Sequence, residues 1–554
     1  MQETAVKKPK KLPGWAGWLI GYVATLAAAA GLVYYWRVVF SPLPGEAALP
    51  MTLAALGVAT LLYLALYGVS RLKGDKLCLR GAALVFVLGL VFCFASAPLQ
   101  APDEDKHYLR AYAISEGHFD YDGAQQYPGD VDLLIEYFPN AMNHKMVNNQ
   151  LGMPTAAVAR YQQAVADGET AATKAAAPLM FSLLPFLPQA LLMAIARLFG
   201  FSALGLMYAG RIANLIIYTL ICYATFKNCD KYRGVFFAVA LLPISLFMAA
   251  SCSYDGIMLP CCFLMLSFFC KRELHTRDLV VFGLALLLAS YIKINNIVLV
   301  AVLLLIPKSR WKTRINPRWA TLVMAVAGVA VWYLLGQVLD GQVLLHGYPA
   351  NLPRGSGGEA DPTGQIAFIF SNIPAFIARM LLNVYENAGY LFNLGTFGWT
   401  DLTISLVSGL SVLGLATASA LGIQQREDTR TGAAVGLGLG ALLYSAAVLV
   451  GMYVLDSDLY SIRITGPQPR YFLPAFLMLF MLGSILLGRA VRPRLRPQST
   501  LSRTESITLW VVAGIALLAG ILLFQNYFIG QWLPKADGGW KMVNLFGWQV
   551  YGGG

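Results

Sequence analysis

Long continuous apolar runs, separated by short polar gaps, dominate the chain. The run LVFVLGLVFCFA at 84–95 is typical, because its apolar residues follow one another without the alternation of a strand that has one polar face. A helix needs about 20 mainly apolar residues to cross a hydrocarbon core about 30 Å thick. Only helices and closed barrels pair every backbone polar group inside that core, and barrel strands alternate apolar and polar residues. The pattern therefore predicts transmembrane helices.

Thirteen such runs predict an all-α polytopic membrane protein that forms one integral membrane domain, 1–554. The predicted spans lie near 15–37, 51–70, 81–98, 202–224, 235–252, 256–270, 278–291, 295–307, 318–336, 402–422, 432–454, 471–488 and 507–526. Two loops are long, 99–177 and 337–401, and we expect both to carry helices that lie beside the membrane.

Composition supports the membrane class and orients the chain. Of the 554 residues 57% are hydrophobic and 13% charged, with a mean hydropathy of +0.60, whereas soluble proteins carry roughly 25% charged residues. The net charge is +12, but the basic residues cluster in alternate gaps, as expected of cytoplasmic segments. The basic excess thus indicates topology and anionic lipid, not nucleic acid. The N-terminus is predicted inside, and the C-terminus and both long loops outside.

The segment 178–197 complicates this topology. It is apolar enough to span, yet a span here would place the basic gap around Lys227 outside and invert everything downstream. Its prolines, Pro178, Pro185 and Pro188, suit a broken element better than a straight span. We therefore expect a helix that dips into the outer leaflet or lies along it.

An acidic motif opens the first long loop. The sequence APDEDKHYLR places Asp103, Glu104, Asp105, His107 and Arg110 within eight residues, immediately after the third predicted span. Carboxyl groups that crowd together near a low-dielectric region have raised pKa values, which suits a general base. The alternative is a solvated loop that caps the span.

A lone acid and two basic residues complete the charged outer positions. Asp255 lies in CSYDGIMLP between two apolar runs, where an ionisable group is usually functional or paired, although it could instead cap the next helix. Lys293 lies in SYIKINN and Arg470 in GPQPRYFLP. On an outer face poor in basic residues they indicate an anion, and a lipid phosphate is the obvious candidate. The alternative is snorkelling toward bulk lipid headgroups.

These motifs resemble a bacterial family of predicted membrane proteins known as a domain of unknown function. The resemblance is carried by PDEDKHYLRAYAISEGHF, FSLLPFLPQAL at 181–191, SYIK, GTFGWTD at 395–401 and GPQPRYFLP, in this order over approximately 80–490. One departure is Pro469, where the family motif would have Gly; it bears on the backbone before Arg470.

That family is in turn similar to the GT-C glycosyltransferases, and the similarity implies a function. It implies a GT-C-like fold, a polyprenyl-phosphate-linked sugar donor and an extracytoplasmic glycan acceptor, with inversion at the sugar carbon. Carried over, Asp103 or Glu104 is the general base and Asp255 the second acid. Arg470 and Lys293 neutralise the departing lipid phosphate. His107, Arg110 and Tyr471 complete the predicted substrate-binding residues.

The resemblance leaves several points open. Metal dependence is one of them: the resemblance allows a divalent cation such as Mg²⁺ or Mn²⁺, and Asp103, Glu104 and Asp255 are its candidate ligands. The implied location is the bacterial plasma membrane, with the active site on the extracytoplasmic face. Two other classes remain, a lipid-linked saccharide transporter or flippase and a glycan ligase or polymerase. The resemblance does not specify the sugar, the acceptor or the oligomeric state.

Overall fold

The computed structural model describes residues 14–39, 48–72, 76–119, 126–142, 154–175, 183–339, 361–422, 431–491, 498–529, 531–534, 540–543 and 549–550. Parts of both long loops and the basic gaps at 7–11 and 426–430 lie outside these ranges. The described chain is mainly helical, as predicted. Its α-helices are α1 Gly14–Val39, α2 Ala48–Ser70, α3 Leu77–Ala95, α4 Glu104–Ser115, α5 Gly129–Tyr137, α6 Pro154–Asp167, α7 Leu187–Leu198, α8 Ala203–Asn228, α9 Arg233–Ala240, α10 Pro243–Ala249, α11 Asp255–Ser267, α12 Thr276–Ile292, α13 Val302–Leu305, α14 Pro317–Val331, α15 Pro362–Ser371, α16 Ile373–Leu391, α17 Ser405–Leu421, α18 Thr431–Leu455, α19 Leu473–Val491 and α20 Gln498–Phe524.

Short irregular helices and two small sheets complete the described fold. The 3₁₀ turns are Leu184–Phe186, Phe268–Cys270, Ile294–Ala301, Lys308–Arg310 and Pro469–Phe472, and π turns follow α14 at Trp332–Leu339 and α20 at Gln525–Ile529. Strands β1 Thr396–Phe397 and β2 Leu402–Thr403 form an antiparallel hairpin. Strands β3 Gln531–Pro534, β4 Trp540–Val543 and β5 Gln549–Val550 form a second antiparallel sheet.

Eight helices among the described residues are long and apolar enough to cross a membrane. They are Ala16–Arg37, Leu49–Ser70, Leu77–Ala95, Ala203–Asn228, Pro317–Val338, Thr431–Leu455, Pro469–Ala490 and Ser502–Ile529. A ninth candidate is the pair α15 and α16, which are bent by 109° at their junction. The polytopic membrane class is therefore supported, but the predicted count of 13 spans is not confirmed.

The difference comes from five predicted spans that form shorter elements. The run 235–252 divides at Pro243 into α9 and α10, 295–307 is partly 3₁₀, and α12 and α17 have 17 residues each. At 1.5 Å per residue, 17 residues reach about 26 Å, less than the hydrocarbon core. Every residue of α10 and α11 is buried inside the protein. Their apolar character thus comes from burial among other helices, which a hydropathy pattern cannot distinguish from burial in lipid.

The second half of the segment 178–197 forms a short amphipathic helix. Its described part consists of the turn Leu184–Phe186 and α7, which packs against α4 and α8. Gln189 and Met193 are buried, whereas Leu191 and Leu198 are exposed. These fifteen residues reach only about 22 Å, less than the hydrocarbon core. A position at the outer leaflet stays a prediction.

Cysteine labelling can test the predicted topology. Glu169 after α6 and Lys227 at the end of α8 are exposed, and the topology places them on opposite faces. A membrane-impermeant maleimide added to intact cells should label Glu169→Cys at once and Lys227→Cys only after permeabilisation. Labelling of Lys227→Cys in intact cells would show that the chain crosses the membrane once more, or once less, before α8 ends.

Candidate functional site

Three charged residues from distant parts of the chain meet in one buried cluster. Asp255 is the first residue of α11, Lys293 follows α12, and Arg470 lies in the turn before α19. Lys293 Nζ lies 3.0 Å from Asp255 Oδ1, and Arg470 Nε lies 2.7 Å from Asp255 Oδ2. Asp255 is 1% exposed. Both carboxylate oxygens of Asp255 accept hydrogen bonds from the two cations, and no side chain caps the start of α11. The helix-cap alternative therefore does not describe the role of Asp255.

Two tyrosines surround the cations of this cluster. Lys293 Nζ lies 4.0 Å from the ring centre of Tyr471 and 5.2 Å from that of Tyr254. Arg470 lies over the Tyr471 ring at 4.6 Å, and its Nη2 donates to the Tyr471 hydroxyl at 3.0 Å. Aromatic faces attract cations and hold them without neutralising them. The three side chains carry a formal charge of +1, which suits an anionic ligand. The carboxylates of Asp103 and Asp456 also lie close enough to act on the two cations.

Asp103 lies near the cluster in an unusual backbone conformation. Its φ is +57°, in the left-handed region that Asp and Asn tolerate better than most residues, and it immediately precedes α4. Its side chain is 36% exposed, with Oδ1 3.3 Å from Lys106 Nζ. The Asp103 carboxylate is near enough to act electrostatically on Arg470, Tyr471 and His107. It is thus a solvent-accessible acid beside a buried cationic centre.

A small open cleft, with about 10 Å³ of internal space, adjoins the cluster at Arg470. Polar and apolar residues both line it, among them Gln468, Arg470 and Phe247. Pro102, which directly precedes Asp103, lies at its edge. The lining consists of Pro102, Ile244, Phe247, Met248, Thr396, Gly398, Thr400, Gln468, Pro469 and Arg470. A ligand in this cleft would contact Arg470 within reach of the acidic motif.

Glu104, the other candidate base, is committed to a buried ion pair. Its carboxylate accepts hydrogen bonds from Nε and Nη2 of Arg211, both at 2.7 Å, and neither side chain is exposed. It also accepts from the backbone N–H groups of Ala101 and Cys252. The remaining donors of Arg211 bind the carbonyls of Cys93, Ser96 and Ala97 at the end of α3. Glu104 therefore joins the acidic motif to α3 and to the turn before Asp255.

His107 and Arg110 occupy different places on α4. His107 packs against the rings of Tyr254 and Phe186, at 4.5 and 5.6 Å between centres. Burial lowers the pKa of His107 to about 4, so its imidazole is neutral near pH 7 and adds no charge toward a phosphate. Arg110 donates through Nη1 and Nη2 to the Phe119 carbonyl, 3.3 Å away. The structure brings His107 beside the cluster but anchors Arg110 to the loop after α4.

The three candidate metal ligands do not converge. Among the described residues, no group of three or more His, Cys, Asp or Glu side chains is arranged to hold a metal ion. The oxygens of Glu104 and Asp255 already accept from Arg211, Lys293 and Arg470. The predicted ligand set of Asp103, Glu104 and Asp255 therefore does not fit a divalent cation.

Two elements of the site were missed by the sequence analysis. Arg211 is the one charge inside an apolar run, in YAGRIANLI, and a charge at such a place indicates pairing or function. The β1–β2 hairpin was noted only as the motif GTFGWTD. Its Gly398, at φ +62°, lines the cleft, and the motif alone did not indicate this position.

Comparison with known proteins identifies the family. A protein-family model described as "predicted membrane protein (DUF2142)" matches residues 86–480, more than half of the chain. Curated protein sequences and solved structures give no match. The matched range includes the acidic motif, the Asp255–Lys293–Arg470 cluster and the hairpin. The expected resemblance to a family of predicted membrane proteins is thus confirmed, and the chain belongs to the DUF2142 family.

Proposed function

We propose that this protein is a membrane glycosyltransferase of the GT-C type. It transfers a sugar from a polyprenyl-phosphate donor to a glycan acceptor at the extracytoplasmic face of the bacterial plasma membrane. The observation that carries the proposal is the formal positive charge of the Asp255–Lys293–Arg470 cluster, with the partly exposed Asp103 carboxylate close enough to act on Arg470. This combination offers an anion site and a base, the two groups that such a transfer requires.

The reaction exchanges one bond at the anomeric carbon for another. Asp103 accepts the proton of an acceptor hydroxyl, whose oxygen attacks the anomeric carbon from the face opposite the phosphate. The bond between that carbon and the phosphate oxygen breaks, and polyprenyl phosphate leaves with one additional negative charge. Arg470 and Lys293 stabilise this charge as it develops, in a site with little water. A single displacement inverts the configuration of the sugar carbon.

Asp255 serves this reaction by holding the two cations. Two buried cations alone would repel each other. The carboxylate between Lys293 and Arg470 stabilises the arrangement and leaves one formal positive charge in excess. Glu104 has no free oxygen for a base and supports the fold of the motif. The choice between the two candidate bases therefore favours Asp103.

Substitution of Arg470 tests the enzyme against a transporter. Removal of a charged hydrogen-bond partner costs about 1.5–3 kcal/mol, so Arg470→Ala should reduce donor use by about one to two decades and acceptor use far less. Arg470→Lys should recover only part, because an ammonium cannot reproduce the guanidinium fork. The measurement is KM and kcat with each substrate varied in turn, in protein whose folding has been verified.

The matched control is Arg463→Ala, seven residues earlier. Arg463 pairs with Glu386 and its side chain is 79% exposed, so its removal should leave the transfer rate unchanged. In cells carrying Arg470→Ala, the donor should accumulate in the outer leaflet while the glycosylated product falls. A donor trapped in the inner leaflet would support a transporter instead.

A further inference from the structure

We infer that the bent helix pair α15–α16 docks onto lipid and holds the turn that carries Arg470. Its apolar face binds the leaflet on the Arg470 side of the membrane, which is the outer leaflet in the predicted topology. Its polar face binds the backbone of the loop 456–464, which connects α18 to that turn. This arrangement does not depend on sugar transfer, because it concerns where the pair lies and what it holds.

One face of α16 is apolar and is left exposed by the described chain. Its exposed large side chains recur at intervals of three or four residues, the spacing at which residues share one side of a helix. They are Ile373, Ile377, Leu381, Val384 and Tyr385, and α15 adds Ile366 and Phe370. The two charged residues of α16, Arg379 and Glu386, lie on its other side. An uncharged apolar surface of this length is expected against lipid rather than water.

The opposite face of α16 places its polar side chains against the protein. Arg379 donates to two carbonyls of the loop 456–464, at 3.2 and 3.3 Å. Asn383 donates to a third carbonyl and accepts from a backbone N–H, both at 2.8 Å. These four backbone groups belong, in that order, to Tyr460, Ser461, Ile462 and Ile464. An amphipathic helix of a water-soluble protein turns its apolar face inward, so the reversed arrangement of α16 fits a lipid environment.

Both ends of the pair are attached to membrane-spanning helices. Gln365 of α15 donates to the carbonyl of Tyr453 in α18 at 3.2 Å. Phe392, directly after α16, packs against Phe476 of α19 with 5.1 Å between ring centres. Taken together, α15 and α16 are apolar enough for a membrane segment, although their bend of 109° excludes a straight span. The exposed face therefore continues the membrane-facing surface of α18 and α19, and lipid is the occupant that fits it.

The depth of α16 follows from the loop that it binds. The loop 456–464 begins directly after the last residue of α18, Leu455. The α16 residues that bind this loop therefore lie level with the end of a span, near the boundary between headgroups and acyl chains. Interfacial amphipathic helices bury their apolar face at this boundary. The aromatic ring of Tyr385, on the exposed face, also suits it.

The same loop leads to the cationic cluster. The Thr465 N–H donates to Ser457 Oγ at 3.0 Å, which closes the loop, and Arg470 follows five residues later. The helix α16 also contacts the turn Pro469–Phe472 directly. Tyr390, near the end of α16, is close enough for Arg470 to act on it electrostatically. A displacement of α16 from the membrane would therefore move the loop and the Arg470 guanidinium together.

Fluorescence quenching in nanodiscs tests the lipid contact. Full-length protein carries a bimane label at Leu381→Cys, a position that is 66% exposed, and labelled wild type gives the background from the native cysteines. The matched control is Glu169→Cys, which is exposed after α6. Phosphatidylcholine with a doxyl group near the headgroup end of one acyl chain should remove most of the fluorescence at position 381 and little at position 169. Aqueous iodide should give the opposite order.

Two results would overturn the lipid contact. Quenching by iodide at position 381, without an effect of the doxyl lipid, would place this face of α16 in water. Protection from both quenchers would mean that protein covers it, such as a second copy of the chain. Neither measurement involves a sugar or a polyprenyl phosphate, so its failure is distinct from a failure of the proposed function.

Hydrogen–deuterium exchange in the same nanodiscs tests the hold on the loop. Asn383→Leu removes the acceptor of the Ile464 N–H, so peptides from 456–472 should exchange about threefold to tenfold faster, the usual effect of one hydrogen bond. Asn387→Leu is the matched control, because Asn387 donates to the Asn383 carbonyl within α16. It should leave the exchange of these peptides unchanged. Equal exchange in Asn383→Leu and the wild type would show that α16 does not hold the loop.

A charge on the exposed face tests whether lipid contact and the loop are coupled. Leu381→Glu should speed exchange in 456–472, because a carboxylate disfavours the apolar environment of the lipid. Leu381→Ala keeps the face uncharged and should exchange as the wild type does. Unchanged exchange in Leu381→Glu would separate the Arg470 turn from the membrane contact. Faster exchange throughout α3 and α8 as well would indicate general unfolding and would equally contradict a local hold.

Discussion

Asp103→Asn is expected to lower the rate of sugar transfer by about 10²–10⁴-fold, the usual contribution of a general base. Asn is the appropriate substitution because Asp103 has φ +57°, and Asn tolerates this conformation nearly as well as Asp. The side chain is 36% exposed, and its ion pair with Lys106 is also partly exposed. Such a pair contributes only about 0–1 kcal/mol. The variant should therefore fold normally and bind the donor while losing transfer.

The measurement is the single-turnover transfer rate per folded protein, with donor affinity determined in parallel. Asp105→Asn provides the control within the same motif, because Asp105 accepts from Asn140 Nδ2 and burial raises its pKa. That variant should retain transfer. A wild-type rate for Asp103→Asn would remove the base from this motif. Loss of donor affinity together with transfer would instead indicate that Asp103 helps to form the donor site.

The sequence contained enough information to locate the cationic cluster, but not to assemble it. Asp255, Lys293 and Arg470 were singled out because charges are scarce at apolar or outer positions, and that reasoning depends only on composition near each residue. Their contacts join positions 38 and 215 residues apart. Such distances are set by the packing of α11, α12 and α19, for which a single sequence gives no measure.

The span count and the choice of base could not be predicted for related reasons. A run of 10–17 apolar residues, such as 256–270, reads the same whether proteins or lipids surround it. Asp103 and Glu104 are neighbours of the same chemical type, yet a helix start separates them: Glu104 turns into the protein toward Arg211, and Asp103 stays at the surface. Only the position of Arg211, 107 residues away, distinguishes a structural acid from an accessible one.

Breaking the Glu104–Arg211 pair should destabilise the fold more than breaking any other ion pair described at the site. Both side chains are 0% exposed, and Arg211 also binds three carbonyls at the end of α3. Removing one partner leaves a buried, uncompensated charge, which costs about 3–5 kcal/mol. Glu104→Gln and Arg211→Met should each lower the free energy of unfolding by about this amount. Arg211→Lys should be only partly better, since one ammonium cannot serve five acceptors arranged around a fork.

A double-mutant cycle separates this pairing from simple loss of packing. Glu104→Gln combined with Arg211→Met removes both charges. The double variant should therefore lose about as much free energy of unfolding as the worse single variant, and less than the sum of the two single losses. Full recovery is not expected, because the carbonyls of Cys93, Ser96 and Ala97 lose the Arg211 donors. The amide oxygen of Gln also replaces only one of the two carboxylate oxygens that accept from Ala101 and Cys252. Denaturant or thermal unfolding in detergent gives the free energies of unfolding of the wild type, the two single variants and the double variant.

Glu116→Gln is the matched control. Glu116 pairs with Arg197 at 3.7 Å with both side chains partly exposed, so loss of this pair should cost no more than about 1 kcal/mol. Additive effects at positions 104 and 211 would mean that the two side chains stabilise the fold independently, and that the acidic motif is not held to the end of α3 through their contact.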